Sequence, residues 1–262
     1  CVFLELYKYC VQNNLLTWRN SGFKHMDSTI YQLISLVHTI YENLDKGKSI
    51  TMVFLDISKA FDRVWHKGLL FKLKSFGINA NLLLWFESYL TGRRQRVLIN
   101  GEASAWFYIN AGVPQGSILG PLLFLIFVND IVLCVNSEIR LFADDTYLFD
   151  MEKDIEPSIA KLNSDLESLN TWSSNWRVSL NPSKTVYMHV NRRATNTDHS
   201  PLYFNRSILK RVNHHKHLGI VLNDKLNWGD HITYIIDKVS TRLNAMRRLQ
   251  YIVPRTCLES VY

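Results

Sequence analysis

The sequence is poor in cysteine, and the four it has, Cys1, Cys10, Cys134 and Cys257, are scattered without a Cys-x-x-Cys pair. That excludes a zinc knuckle and a small disulfide framework, and makes a reducing, intracellular compartment the expectation. No secretory signal pattern stands in it. Long hydrophobic runs are also lacking. The most apolar stretch, residues 118–135, is interrupted by Gly120, Pro121, Asn129 and Asp130, so it predicts a buried helix and not a membrane span. Internal repeats and low-complexity tracts are absent, which excludes solenoids and disordered arrays.

What is present is the composition of a globular protein. The 262 residues are 47% hydrophobic and 20% charged, enough for one large domain or two modest ones with an ample core. The net charge is +7, from 30 basic and 23 acidic residues. That excess favours a polyanionic partner, although many soluble proteins are mildly basic. The chain opens on Cys1 in place of a methionine and ends at Tyr262 soon after a helix-like run, from which a fragment of a longer polypeptide is expected.

Hydrophobic periodicity divides the chain. Residues 1–18 read as helical. Ile30, Leu33, Ile34, Val37, Ile40 and Leu44 recur at helical spacing after the N-cap candidates Asp27, Ser28 and Thr29, predicting a helix over 28–45 closed by Gly47. Residues 50–56 read as a buried strand ending in Asp56. Helices follow near 66–76 and 79–91. Residues 91–96 form a basic turn, and 97–100 with 106–110 suggest a hairpin about Gly101. A central apolar helix is expected over 117–134. Strands at 139–143 and 146–149 flank Asp144 and Asp145. A long helix over 155–176 follows, with Pro157 in its first turn. A strand at 185–190 precedes the polar stretch 191–200, the best linker candidate. Short strands near 202–204 and 217–222 lead to a last amphipathic helix from Ile232 to Leu249.

The chemistry centres on carboxylates. Asp144 and Asp145 read as the tight turn of a hairpin, which taken alone is equally an ordinary polar turn. Asp56 tips the balance, because an acid closing a buried strand is costly without a purpose. If these strands are neighbours in one antiparallel sheet, three carboxylates converge at one edge. Two Mg²⁺ ions about 4 Å apart would satisfy them, with Mn²⁺ as an alternative.

Residues 53–62, Val-Phe-Leu-Asp-Ile-Ser-Lys-Ala-Phe-Asp, resemble the first catalytic motif of non-LTR retrotransposon (LINE-like) reverse transcriptases. Residues 112–117, Gly-Val-Pro-Gln-Gly-Ser, resemble the second, and Phe142-Ala143-Asp144-Asp145 the third. Residues 181–185, Asn-Pro-Ser-Lys-Thr, resemble the next, and Leu218-Gly219 with Leu226-Asn227-Trp228 resembles the start of the thumb. Five motifs in order, from about Asn20 to Leu249, make the resemblance specific. Its texture is closest to jockey and CR1-like elements.

The resemblance implies an α+β fold: a right-hand polymerase palm, an antiparallel sheet packed on helices, with partial fingers and the start of a helical thumb. Residues 1–190 would be fingers and palm, and 191–262 the connection and thumb. It implies that Asp56, Asp144, Asp145 and the Ile57 carbonyl hold the metals. Phe61 would lie under the incoming sugar and collide with a 2′-hydroxyl. Gln115 and Gly116 would position the nucleotide and template base, and Lys184 would protonate or neutralise pyrophosphate. The implied partners are an RNA template, a DNA primer and deoxynucleoside triphosphates. The early fingers strands, most of the thumb, an endonuclease and the C-terminal regions of the same element would lie outside these residues.

Other features have two readings. Arg93, Arg94 and Arg96 suit template phosphates or plain solvent, and so do Lys238, Arg242, Arg247 and Arg248 for a duplex. Asp62 reads as a structural cap in preference to a metal ligand. His214, His215 and His217 invite a metal reading but lack cysteine partners at zinc spacing. Where the family often has Gln-x-Gly-Phe-Arg, this chain has Asn20-Ser21-Gly22-Phe23-Lys24, and lysine lacks the forked donors of arginine. Two competing readings remain: a retroelement remnant that only binds nucleic acid, and an RNA-dependent RNA polymerase, against which the bulk of Phe61 argues.

Overall fold

In the computed structural model, residues 2–192 and 199–254 are described. Cys1, Cys257 and the middle of the expected linker, residues 193–198, lie outside them. The first half runs α1 (Val2–Gln12), α2 (Thr29–Asp45), β1 (Ser49–Asp56), α3 (His66–Ser75), α4 (Ala80–Leu90), β2 (Arg94–Gln95), β3 (Leu98–Ile99), β4 (Glu102–Ala103), β5 (Phe107–Tyr108) and α5 (Leu119–Val128). The second half runs β6 (Glu138–Phe142), β7 (Asp145–Glu152), α6 (Ile155–Trp176), β8 (Val186–Val190), β9 (Tyr203–Phe204), β10 (Ser207–Ile208), β11 (Lys210–Arg211), β12 (His214–His217), β13 (Ile220–Asn223) and α7 (Gly229–Leu249).

Strand β1 is the centre of a five-stranded sheet ordered β11-β8-β1-β7-β6. All pairings are antiparallel except β8 with β11. Successive side chains of a strand alternate between faces, and both faces of β1 are buried up to Asp56. Val53 and Leu55 enter the larger core with α5 and α6, while Ile50, Met52 and Phe54 enter a second core under α2. A strand covered on both sides reads as a continuous apolar run, which is why its period was hidden and its burial was not.

Helix α2 starts where Ser28 Oγ accepts from the Tyr31 amide at 3.2 Å. Its buried stripe is Leu33, Leu36, Ile40 and Leu44, whereas Ile30 and Ile34 are exposed. The central apolar helix stops at Val128 and continues as a 3-10 turn, Asn129–Leu133. The cause is Asn129, whose side chain donates to the Leu15 carbonyl at 2.8 Å and accepts from the Thr17 amide at 2.7 Å. Helix α6 keeps its expected face, with Ile159, Leu162, Leu166, Leu169 and Trp172 buried, and ends at Arg177 in the left-handed region.

Two local expectations are corrected. The basic turn contains strand β2, which pairs with β5, while β3 pairs with β4 about Asn100 and Gly101. The expected strand over 217–222 is split by a turn at Leu218 and Gly219, both at positive φ, into the hairpin β12–β13. Positive φ at both central residues is the primed hairpin geometry that matches strand twist. Helix α7 leaves no residue buried, and among the described residues no helix is long and apolar enough to cross a membrane.

Candidate active site

Strands β1 and β7 are neighbours, with Asp56 directly opposite Asp145. Directly opposed residues on antiparallel strands share a face, so register alone brings these two carboxylates together. Asp144 lies one residue before β7. The β6–β7 turn passes through Ala143 and Asp144, and Asp145 is already paired with Phe142. The expectation of both acids at the turn is thus corrected: Asp144 is at the tip and Asp145 opens the strand. Ala143 carries φ 58°, the positive value a primed turn needs at its first central residue.

The turn is held from outside by residues 19–24, which include the segment that stands where the family often has Gln-x-Gly-Phe-Arg. Leu141 donates its amide to the Arg19 carbonyl, and Ser21 donates to the Leu141 carbonyl, each at 2.9 Å. Gly22 then passes so close that a Cβ on it would lie 2.3 Å from the Ala143 nitrogen. Asn20 Oδ1 accepts from the Gly22 amide at 3.0 Å, and Lys24 Nζ turns inward to donate to the Thr17 carbonyl.

On the other side, the Asn181 amide donates to the Asp56 carbonyl at 2.9 Å, and Ser58 donates to Ser179 at 2.8 Å. These bonds tie the Asn-Pro-Ser-Lys turn to the end of β1. Lys184 Nζ stands 4.0 Å from Asp56 Oδ2. Its side chain is 67% exposed, so the pair contributes little to stability and leaves the ammonium free to move.

The three acids, Lys184 and Ile57 line a cleft of about 550 Å³. Asp56 Oδ2 is buried and accepts no hydrogen bond. Burial, and then the charges of Asp144 and Asp56, hold the Asp145 carboxyl above the usual carboxylate range. Among the described residues no three His, Cys, Asp or Glu side chains stand as a finished metal-binding group. Yet an orphaned buried carboxylate oxygen beside two further acids is a donor set of hard oxygens with an unmet need for positive charge, and it fits Mg²⁺.

The floor beneath the acids was not foreseen. The previous residues on this face, Phe54 and Tyr147, are covered by β12. His215 stacks on Phe54 at 3.9 Å between ring centroids, and His217 meets Tyr147 edge-on at 4.7 Å. Burial, and then a neighbouring histidine, pushes each of the two down to about 4, so both rings are neutral at pH 7. His215, Lys216 and His217 line the acidic cleft. The available signal was the spacing of His215 and His217, which puts both on one face of a strand.

A second cleft, of about 1430 Å³, opens beside the first motif and is lined by Lys59, Asp62, Arg63, Arg93, Arg94 and Gln115 among others. Val113 donates its amide to the Phe61 carbonyl, and Gly112 to the Val64 carbonyl, each at 2.8 Å. A Cβ on Gly112 would lie 2.7 Å from the Asp62 carbonyl oxygen. The loop of the second motif is therefore pressed onto the first. Gln115 Nε2 donates to Asp62 Oδ1 at 2.7 Å, so Asp62 orients Gln115. Gly116, at φ 79°, has open space around it. Phe61 stacks on Phe124 at 4.5 Å and meets Phe23 edge-on at 5.8 Å, which fixes the plane of its ring.

The family described as reverse transcriptase (RNA-dependent DNA polymerase) matches residues 5–227. The chain belongs to this family. It is 35% identical over 246 residues to the RNA-directed DNA polymerase from mobile element jockey of Drosophila melanogaster, covering 90% of this chain and 26% of that one. It is 30% identical over 247 residues to the probable RNA-directed DNA polymerase from transposon BS of the same species, covering 91% and 27%. The chain thus spans about a quarter of the length of these curated relatives. These matches bear out the resemblance to non-LTR retrotransposon reverse transcriptases and do not favour the two competing readings. A solved telomerase from Candida tropicalis, in complex with a fragment of telomeric RNA, superposes with a TM-score of 0.60 at 13% identity, covering 87% of this chain and 37% of that one. That likeness establishes the right-hand polymerase fold, the α+β class expected. Reverse transcriptases generally use divalent metals.

The remaining basic candidates of this reverse transcriptase chain divide. Arg93 and Arg94 reach the second cleft, whereas Arg96 lies further along the exposed ribbon of β2 to β5. Lys238, Arg242, Arg247 and Arg248 are exposed on α7, away from both clefts' linings.

Proposed function

We propose that the acidic cleft polymerises deoxynucleotides onto a DNA primer along an RNA template, as the RNA-directed DNA polymerase part of a non-LTR retroelement. The observation that carries this reading is the register of Asp56 against Asp145, with Asp144 at the adjoining turn. Asp56, Asp144 and Asp145 would hold two Mg²⁺ ions, Mn²⁺ being the alternative. When bound, such a pair activates the primer 3′-hydroxyl and neutralises the leaving pyrophosphate. The Asp56 carbonyl is occupied by Asn181 on the β8 side. Carbonyls alternate in direction along extended backbone, so the Ile57 carbonyl, next in line, would face the acids as a further metal ligand.

Lys184 brings a mobile ammonium to the Asp56 carboxylate, where it offsets pyrophosphate charge or supplies a proton. The Phe61 ring blocks a ribose 2′-hydroxyl, and Gln115, oriented by Asp62, positions nucleotide and template base over the open space at Gly116. Residues 1–190 act as fingers and palm and 191–262 as connection and thumb, with Lys238 and Arg242 facing the duplex. Endonuclease and C-terminal regions of the same element complete the working enzyme. The unpaired thiols of Cys10 and Cys134 suit an intracellular setting. Primer extension by the 262-residue chain on an RNA template with Mg²⁺, beside Asp144→Asn, tests the reading. Extension lost in the variant is expected, and nucleic-acid binding without metal-dependent extension would overturn it.

A further inference from the structure

The ribbon of β2 to β5 carries a feature that the motifs do not assign. In it Arg94 lies opposite Tyr108, and Gln95 opposite Phe107. Counting outward, Arg96 falls opposite Trp106. Alternation then puts Arg94, Arg96, Trp106 and Tyr108 on one face. The contacts agree: the Arg94 guanidinium lies 5.6 Å from the Trp106 ring and 5.8 Å from the Tyr108 ring, and Arg96 lies 4.6 Å from Trp106. Trp106 is 54% and Tyr108 69% exposed. Among the described residues neither arginine pairs with a carboxylate, and Glu102 belongs to the separate β3–β4 hairpin. At its base the ribbon contributes Arg93, Arg94 and Gln95 to the cleft that holds Gln115.

We propose that this face binds single-stranded nucleic acid, with unpaired bases stacked on Trp106 and Tyr108 and phosphates paired with Arg94 and Arg96. In the polymerase reading, on which the choice of strand rests, the occupant is the RNA template before it pairs in the cleft. The chemistry selects this occupant. Exposed rings alternating with unpaired cations bind stacked bases and phosphates together, whereas a protein partner would need apolar cover without two uncompensated charges. A duplex offers no free base faces and would use the arginines alone. The continuity with the second cleft gives the strand a path to Gln115.

The test uses the 262-residue chain, a labelled 20-nucleotide oligouridine and an RNA hairpin duplex of equal length. Trp106→Ala/Tyr108→Ala is expected to weaken oligouridine binding by at least about tenfold and to leave duplex binding within about twofold. Trp106→Phe/Tyr108→Phe should restore single-strand binding, which separates stacking from misfolding. Arg94→Gln/Arg96→Gln should flatten the salt dependence by about 1.4 in slope. Unchanged oligouridine binding in the double alanine variant overturns the proposal, and so does equal loss on duplex. Primer extension separates the two readings. If the wild type fails to extend while the ring variants still lose oligouridine, the polymerase reading fails and the ribbon site stands. If the wild type extends and the double alanine variant extends long unpaired templates equally well, the ribbon site fails alone.

Discussion

Asp56 and Asp145 face each other across two hydrogen-bonded strands; Asp56 Oδ2 accepts no hydrogen bond, and Lys184, 4.0 Å from it, is largely exposed and compensates little. The arrangement therefore stores repulsion that a cation relieves. Without divalent metal, Asp145→Asn is expected to raise the melting temperature above wild type. The sign follows from linkage: a carboxyl held above its unfolded pKa contributes stability that is present below the ordinary carboxylate range and lost as pH rises through the raised value. The gap between variant and wild type should thus widen as pH rises from about 4 to 7. Adding Mg²⁺ should close it. At ten times the dissociation constant, binding stabilises the wild type by about 1.4 kcal/mol, or roughly 3 °C for a chain of this size, and the variant by less. A thermal melt with and without Mg²⁺ reads both, and an equal Mg²⁺ response in the two proteins would exclude Asp145 from the metal site.

Phe61 has a rigid setting for its proposed part in sugar selection, between Phe124 and Phe23. Phe61→Val keeps a side chain against Phe124 and clears the outer volume. It should lower the preference for deoxy- over ribonucleotides by about tenfold or more, the scale on which a small steric difference is resolved. Losing the stacked pair costs about 0.5–1.5 kcal/mol of stability. Single-nucleotide incorporation with each sugar measures the ratio, and an unchanged ratio would return Phe61 to the core.

Gly22→Ala separates geometry from stability. The new methyl must displace either the residue 19–22 segment or the Ala143 nitrogen, since both are backbone. Overpacking of this kind costs about 1–3 kcal/mol. Because the displaced atoms belong to the turn that carries Asp144, the chemical step should slow more than nucleotide binding weakens. The expected pattern is a fall of about two orders of magnitude in kcat with KM little changed. A rate equal to wild type in a folded variant would show that the turn does not depend on this approach.

How much of this was legible in the sequence differs residue by residue. The strand ending at Asp56, the long face of α6 and the order of the motifs follow from burial and period, which local sequence encodes. The turn at Ala143 does not, because alanine has no preference for positive φ and takes it here under pressure from Leu141 and Gly22. The β12–β13 turn was hidden for the same reason: Leu218 sits at φ 47°. With that turn unseen, His215 and His217 were read as a metal question when their surroundings make them a neutral aromatic floor. Trp106 and Tyr108 were read as strand residues, since only cross-strand register shows them alternating with arginines.

Lys72 was invisible to any motif, and it supports the last prediction. Its ammonium is buried, donates to Asp130 Oδ1 and to the Phe127 carbonyl at 2.5 Å each, and lies 3.7 Å from the centre of the Trp176 ring. Asp130 Oδ1 also accepts from Trp172 Nε1 at 3.0 Å. The cluster locks α3 to α6 through the turn after α5, behind the sheet that carries the acids. Burial outweighs the attraction of Asp130 and pushes Lys72 down to about 8. Lys72→Met leaves Asp130 with one donor. It should cost toward the lower end of about 3–5 kcal/mol, because the Asp130 side chain is 33% exposed. Lys72→Met/Asp130→Asn removes both charges and should recover most of that loss, as apolar replacements of whole buried pairs do. The pH dependence has a definite sign. Between about 8 and 10.5 the unfolded lysine holds a proton that the folded one has released, so wild-type stability should rise relative to Lys72→Met across that window. Urea melts of the three proteins from pH 7 to 10 measure the difference, and a flat difference would mean that Lys72 stays charged in its cage.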